Sequence, residues 1–320
     1  MKFKNLTEED IIHIKRSYTG LLTKEDAQEY LADYYKVSVR TIRNWANKLE
    51  LNVLPKNRVS SANVMIYDIE TCRMVVKTFW TGKQYIGYNQ IQGEPRIISI
   101  SWKWLGGDKV HHLTWDKLHS DKEMMEAFLK EYNKADMVIG INNDSFDNRW
   151  INARAAKHRL DVNTMVKSFD VQREMKRVFR IPSYAMKYTA KYFELDQQKM
   201  EHEGEIMWQM IEDGTPEQQR EYLKKMVNYN VQDILTTEEL YISLRKYFGH
   251  KMHFGVFDGE NKWTCPNCGT NNISLEKTSF TAAGTVQRFM RCNEDHVQFR
   301  ITNRQYIDFT ENERNLETGS

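Results

Sequence analysis

The chain has 320 residues, of which 40% are hydrophobic, and its 46 basic residues nearly balance its 44 acidic ones. The net charge of +2 is too small to indicate a nucleic-acid partner by itself. No apolar run approaches the ~20 residues that cross a bilayer, and the first residues lack the core of a signal peptide. We therefore expect a cytoplasmic protein without a membrane partner.

Residues 1–55 carry the pattern of three short helices. A capping box of Thr7 and Asp10 opens the first helix ahead of an apolar stripe. The second, in "TKEDAQEYLADYYK", and the third, in "SVRTIRNWANKLEL", place apolar side chains at helical spacing. A linker, "NVLPKNRVSSAN", follows. The polar face of the third helix consists of Arg40, Arg43, Asn44 and Lys48.

The second and third helices together, "YYKVSVRTIRNWANKL", resemble a helix-turn-helix. The resemblance implies that Arg40, Arg43, Asn44 and Lys48 face the major groove or the phosphates of duplex DNA. Because such motifs are degenerate in sequence, a helical domain that contacts a protein is the alternative.

Residues 60–250 carry an α/β pattern. Four strands are predicted, in "VMIYDIE", "RIISISWKWL", "KVHHLTW" and "DMVIGIN", with a helix before the fourth and helices after it. This order predicts a sheet that helices cover on both faces, so that the first strand can be central. The long stretch "FWTGKQYIGYNQIQGEP" joins the first two strands. Its Lys83, Tyr85 and Tyr88 could contact a nucleic-acid strand, and a solvated hairpin is the alternative.

Acidic residues interrupt the first strand at alternate positions. Asp68 and Glu70 share one face of that strand, and a hard cation such as Mg²⁺ or Mn²⁺ would offset their repulsion. A solvated edge strand is the alternative. Further along, Asp147 lies at a helix start, where it could also be a cap. Tyr229 and Asp233 share one helical face, which could also be an ordinary helix surface or hold a buried hydroxyl–carboxylate bond.

Three stretches together are similar to the motifs of the DEDD superfamily of 3′–5′ exonucleases, which has an RNase H-like fold. Asp68-Ile69-Glu70 matches Asp-x-Glu, residues 143–147 match Asn-x-x-Phe-Asp, and residues 229–233 match Tyr-x-x-x-Asp. Tyr229 places the chain in the tyrosine subgroup. The segment "SYAMKYTAKYFEL" also resembles the proofreading domains of B-family DNA polymerases.

The resemblance implies a fold, a mechanism and a role for each residue. The fold is an RNase H-like mixed sheet flanked by helices, and hydrolysis uses two Mg²⁺ or Mn²⁺ ions. Asp68 would bridge both ions, and Glu70 and Asp233 would complete the site of the water-activating ion. Asp147 would hold the second ion, and Tyr229 would orient the attacking water.

Residues 255–310 predict a small β module that binds one structural zinc ion. "CPNC" supplies Cys265 and Cys268, and Cys292 follows after 23 intervening residues, as in a zinc ribbon. His296, in the pattern Cys292-x-x-x-His296, is the predicted fourth ligand. A ribbon without metal is the alternative.

These features predict a stand-alone 3′–5′ exonuclease acting on DNA in replication, recombination or repair, and a phage source is compatible with its size. Its partners would be a single-stranded 3′ end at the acidic site and duplex DNA at the helix-turn-helix; a protein partner is also compatible. Two alternatives stay open. One is a sequence-specific DNA-binding regulator with a non-catalytic nuclease scaffold, and the other is a nuclease that acts on RNA or cuts internally.

Overall fold

The computed structural model describes residues 6–7, 10–11, 13–14, 24–49, 62–197, 204–249 and 251–318. The chain divides into two compact units, residues 1–57 and 58–320. Most of the first predicted helix and most of the predicted linker lie outside the described residues. None of the helices in the described ranges combines the length and apolar content that crossing a membrane requires.

The first unit contains two well-defined helices, α1 (Lys24–Tyr34) and α2 (Val39–Lys48). Ser38 caps α2, because its Oγ accepts a hydrogen bond of 3.2 Å from the amide of Thr41. Apolar side chains from both helices are buried against each other. The main members of this small core are Ile14, Leu31, Ile42, Trp45 and Ala46.

The second unit is built on a five-stranded mixed sheet. Its strands are β1 (Val64–Thr71), β4 (Ile97–Trp104), β5 (Val110–Thr114), β6 (Met137–Gly140) and β7 (Lys167–Asp170). The spatial order is β5-β4-β1-β6-β7, with β1 and β4 antiparallel and β1 and β6 parallel. The first strand is therefore central, as its apolar sequence predicts. The short β7 was missed by sequence reasoning.

Helices cover this sheet, and a separate short hairpin lies in the connection between β1 and β4. The helices are α3 (Lys122–Tyr132), α4 (Asp147–His158), α5 (Val171–Val178), α6 (Met186–Tyr192), α7 (Glu205–Asp213) and α8 (Pro216–Leu244). The hairpin strands β2 (Val75–Val76) and β3 (Ile91–Gly93) lie in the long stretch between β1 and β4. Thr215 and Gln218 form a capping box that starts α8.

Alternate residues of β1 belong to two different cores. Val64 and Ile66 pack in the core that contains residues of α8, whereas Met65 and Tyr67 pack in the core that contains residues of α3 and α4. Because side chains alternate along a strand, Asp68 and Glu70 continue the face of Val64 and Ile66.

A small three-stranded sheet follows the central domain. It consists of β8 (Ile273–Phe280), β9 (Val286–Cys292) and β10 (Gln298–Thr302), with β9 in the middle. The short helix α9 (Phe254–Phe257) precedes it, and α10 (Asn303–Thr318) follows it. Helix α10 was not predicted; its Phe309 ring lies 5.3 Å from that of Trp263 and packs in the core of this region.

Candidate active site and metal centre

The end of β1 presents the first two predicted acids to α8. Asp68 and Glu70 are partly buried, and they follow a stretch of four fully buried residues, Val64 to Tyr67. In the antiparallel pairing of β1 with β4, Asp68 lies opposite Ser101 and Glu70 lies opposite Ser99. The pairing therefore fixes the backbone positions of the two acids.

A tight turn after β6 brings Asp147 to the same strand. Asn142 adopts a left-handed conformation with φ of 63°, and a Cβ on Gly140 would lie only 2.7 Å from Cβ of Asn143. Asp170 holds this turn by accepting a hydrogen bond of 3.0 Å from the amide of Asn142. Asp147 then accepts one of 3.1 Å from the amide of Ile69, between the two acids of β1.

Helix α8 supplies the third group of residues. Tyr229 and Asp233 are 6% and 3% exposed, and they lie one helical turn apart on the same face. Between them, fully buried Asn230 donates a hydrogen bond of 2.5 Å to Asp68 Oδ2 and accepts one of 3.3 Å from Ser99 of β4. Asn230 was missed by sequence reasoning, and its position inside the Tyr-x-x-x-Asp stretch is the only signal that could have indicated it.

These contacts bring all three sequence motifs to one end of β1. Within the described residues, the carboxylates of Asp68, Glu70, Asp147 and Asp233 form no group of three with ligand atoms inside 4.8 Å of one another. The oxygens of three carboxylates that bind one Mg²⁺ or Mn²⁺ ion lie within about 4.5 Å of one another, so three of these side chains would have to move closer together to hold an ion.

Burial makes Asp147 a carboxylate that would gain from a cation. Loss of hydration raises the pKa of Asp147 to about 7, and the negative charge of Asp170 adds to the rise. Hydrogen bonds from the backbone oppose the shift without cancelling it. All the donors at this site are oxygens, which are the ligands that Mg²⁺ and Mn²⁺ prefer. The residues present thus fit hard divalent ions.

A second cluster lies in the C-terminal region. Single ligand atoms of Cys265, Cys268, Cys292 and Asp295 lie within 4.8 Å of one another, the one such group in the described part of the chain. The Sγ atoms of Cys268 and Cys292 are 3.6 Å apart, and that of Cys265 is 3.7 Å from both oxygens of Asp295. Tetrahedral zinc with thiolates at 2.3 Å separates neighbouring sulfurs by about 3.8 Å. The cluster therefore fits such an ion.

Close packing gives the thiols of this cluster unequal proton affinities. Hydrogen bonds with the other two thiols lower the pKa of Cys292. For Cys268, the hydrogen bond with Cys265 lowers the pKa, but contact with Cys292 and burial outweigh it and raise the pKa to about 12. Burial also raises the pKa of Asp295. A bound cation would replace these shared protons.

The fourth position of this cluster differs from the prediction, since it is occupied by Asp295 and not by His296. The amide of Cys265 bonds to the carbonyl of Thr270, and that of Cys292 bonds in the same way to Val297. His296 has φ of 60° and occupies the left-handed place that Gly269, with φ of 72°, holds in the first turn. Its side chain is exposed. The spacing Cys292-x-x-Asp295 repeats that of Cys265-x-x-Cys268 and could have indicated Asp295 from the sequence.

The cluster contacts the segment that follows α8. Arg245, which is 5% exposed, places Nη2 3.8 Å from Asp295 Oδ2. The carbonyl of Arg245 accepts a hydrogen bond of 3.4 Å from Asn267, which lies between Cys265 and Cys268. Metal binding here would thus stabilise the end of the helix that carries Tyr229 and Asp233.

The residues predicted to contact DNA share the solvent face of α2. Arg43 Nε donates a hydrogen bond of 2.7 Å to Gln28 of α1, which ties the guanidinium group of Arg43 to the other helix. The exposed members of this face are Arg40, Arg43, Asn44 and Lys48.

Comparison with known proteins relates the central domain to the RNase_H superfamily. A family model described as the RNase_H superfamily matches residues 92–245, which include Asp147, Tyr229 and Asp233. The match supports an RNase H-like fold for the domain built on the five-stranded sheet, and it begins after β1, which carries Asp68 and Glu70. Among solved structures, the chain is similar to the family B DNA polymerase from the hyperthermophilic archaeon Pyrobaculum calidifontis, with 12% identity and a TM-score of 0.43. That match covers 69% of this chain and 31% of the polymerase chain. No curated protein matches.

Proposed function

We propose that the chain is a metal-dependent 3′–5′ exonuclease of the tyrosine subgroup of the DEDD superfamily, acting on DNA. The observation that carries this proposal is the meeting of three separate stretches at the end of β1. Asp68 contacts Asn230 of α8, and the amide next to Asp68 contacts Asp147. The RNase_H superfamily match supports a reaction at a phosphodiester.

The residues of this site divide into ion holders and a water-orienting group. Asp68, Glu70 and Asp233 would hold one Mg²⁺ or Mn²⁺ ion, and Asp68 and Asp147 would hold the other. When bound, such ions supply positive charge near the attacking and leaving oxygens. The hydroxyl of Tyr229 would orient the attacking water through a hydrogen bond. Asn230 keeps Asp68 in place.

The flanking regions would hold the enzyme on its substrate. In this proposal residues 1–55 form a helix-turn-helix that contacts duplex DNA, and residues 60–250 form the nuclease domain. Residues 255–310 form a zinc-binding module. Its ion would be held by Cys265, Cys268, Cys292 and Asp295. The biological setting would be replication, recombination or repair.

Time courses on end-labelled strands test the proposal. Single- and double-stranded DNA and RNA, labelled at either the 3′ or the 5′ end, are incubated with Mg²⁺ or Mn²⁺. A 3′–5′ exonuclease releases a 3′ label at once as a mononucleotide, whereas a 5′ label appears in a ladder of shortening products. Early internal fragments from both labels would instead indicate an endonuclease.

A variant assigns the activity to this site. Asp68→Asn keeps an oxygen that can accept the hydrogen bond from Asn230 but removes the charge. We expect it to abolish release of either label, and unchanged release would place the hydrolytic site elsewhere.

A further inference from the structure

The stretch between β1 and β4, residues 73–95, displays aromatic rings to solvent, and we name it the insert. Four of its aromatic side chains are among the most exposed in the described residues: Phe79 (96%), Tyr85 (92%), Tyr88 (91%) and Trp80 (64%). Aromatic side chains of this size contribute most when they are covered, so a cluster left open points to a missing partner.

The insert is anchored next to the acidic site. The amide of Cys72 bonds to the carbonyl of Arg96 at 2.9 Å, so both legs leave the sheet just beyond Glu70. On the first leg, Arg73 pairs with Glu212 of α7 at 2.9 Å. On the second leg, Glu94 pairs with Lys157 of α4 at 3.1 Å. The two legs are therefore tied to α7 and to the end of α4 opposite Asp147, and the insert begins three residues after Glu70.

The charge of the insert indicates which kind of partner would cover its exposed rings. Between residues 74 and 93 there are two exposed lysines, Lys77 and Lys83, and no acidic residue. Bases offer flat faces and phosphates offer negative charge, and an unpaired strand exposes both while a duplex stacks its bases internally. The rings of Phe79 and Trp80 have centroids 6.4 Å apart and are inclined by 30°, so they do not cover one another face to face.

We infer that the insert is a stacking surface that holds the unpaired nucleic-acid strand leading to the acidic site. Phe79, Trp80, Tyr85 and Tyr88 stack on successive bases, while Lys77 and Lys83 contact the phosphates. This inference rests on the proposed function for the identity of the strand as substrate. It adds the residues that bind the strand away from the cleaved bond.

Strand binding is measured separately from hydrolysis. Fluorescence anisotropy of labelled oligo(dT), oligo(rU) and blunt duplex DNA is recorded in Mg²⁺ with the full-length Asp68→Asn protein. Adding Phe79→Ala and Tyr85→Ala removes two rings, each worth roughly 5- to 150-fold in affinity for one stacked base. We expect single-strand affinity to fall at least ~25-fold and duplex affinity to stay within about twofold. Met165→Ala, which removes another side chain that is 83% exposed, is the matched control and should change neither.

Salt dependence tests the lysines independently. Replacing Lys77 and Lys83 by Gln should reduce the slope of log affinity against log salt by about 1.4 for a single strand. A weaker response of oligo(rU) than of oligo(dT) to the ring substitutions would assign the surface to DNA, and the reverse would assign it to RNA.

The outcomes separate this inference from the proposed function. If the ring variants bind both oligonucleotides as tightly as their parent while wild-type protein still degrades strands, the inference is wrong. If wild-type protein hydrolyses nothing but the ring variants lose strand affinity, the stacking surface stands without the exonuclease. Circular dichroism and thermal melting of each variant confirm that a loss of affinity is not a loss of folding.

Discussion

The acidic site and the cysteine–aspartate cluster gather their ligands in opposite ways. The acids come from a central strand and two helices far apart along the chain, with Asp68 and Glu70 partly buried and Asp147 and Asp233 buried. The cluster comes from two short turns of the same form, and its three thiols are buried. Oxygen ligands suit hard ions that exchange, and thiolates suit an ion that stays. In the proposed function, the first site would serve hydrolysis and the second would serve folding.

Replacing one acid should remove activity without reducing stability. We expect Asp233→Asn to lower the rate of strand hydrolysis by on the order of 10³-fold, because several kcal/mol of charge stabilisation depend on the ions. Its melting temperature should hold or rise, since a buried charge is removed. Rates from end-labelled strands and calorimetric melting check both statements, with the exposed Asp161→Asn as control. A coupled fall in melting temperature would make Asp233 a structural residue.

Replacing one cysteine of the cluster should instead reduce the stability of the protein. Cys265→Ser should lower the melting temperature by at least ~5 °C and reduce bound zinc, because binding energy at a structural site is folding energy. Metal content by mass spectrometry and thermal melting check this. The chain offers its own control, Cys72→Ser, which alters a half-buried cysteine outside the cluster. Equal losses of melting temperature and zinc in Cys265→Ser and Cys72→Ser would mean that the cluster has no special role in stability.

Adjacent residues test which ligand completes the cluster. Asp295→Ala should weaken zinc binding by at least ~10-fold, as loss of a ligand or its supporting group does. His296→Ala should leave zinc affinity unchanged, because this side chain is exposed at the left-handed place of the turn. Competition with a chromophoric chelator measures both affinities. A larger loss for His296→Ala would restore the pattern Cys292-x-x-x-His296.

Acidity should affect the acidic site through Asp147. With the pKa of this carboxyl raised to about 7, protons compete with divalent ions, so Mn²⁺ affinity should fall several-fold between pH 8 and pH 6. Without metal, the contribution of Asp147 to the stability of the fold changes with pH in the opposite direction to the Mn²⁺ affinity. The folded state binds the proton more tightly, so this group's contribution grows as pH falls through 7 and is complete below its unfolded value of about 3.9. Isothermal titration at both pH values measures the Mn²⁺ affinity. In Asp147→Asn, this affinity should depend less on pH.

Local patterns predicted much of this molecule. The alternation of Asp68 and Glu70 on an apolar strand indicated a buried strand with acids at its end, and β1 is central. The short, partly polar β7 carried too weak a pattern to predict, and it forms because β6 offers a parallel neighbour. The role of Asn230 depends on a contact with β1 from far along the chain, which no local pattern reports. Asp295 was missed although its spacing from Cys292 was visible.

Ion binding tests the central claim most directly, namely that separate motifs form one site for two divalent ions. Mn²⁺ titration followed by electron paramagnetic resonance should count about two more tightly bound ions in wild-type protein than in a variant combining Asp68→Asn with Asp233→Asn. The zinc content of the two proteins should be equal. Equal Mn²⁺ binding by both would contradict the account, because the acids would then hold no ion.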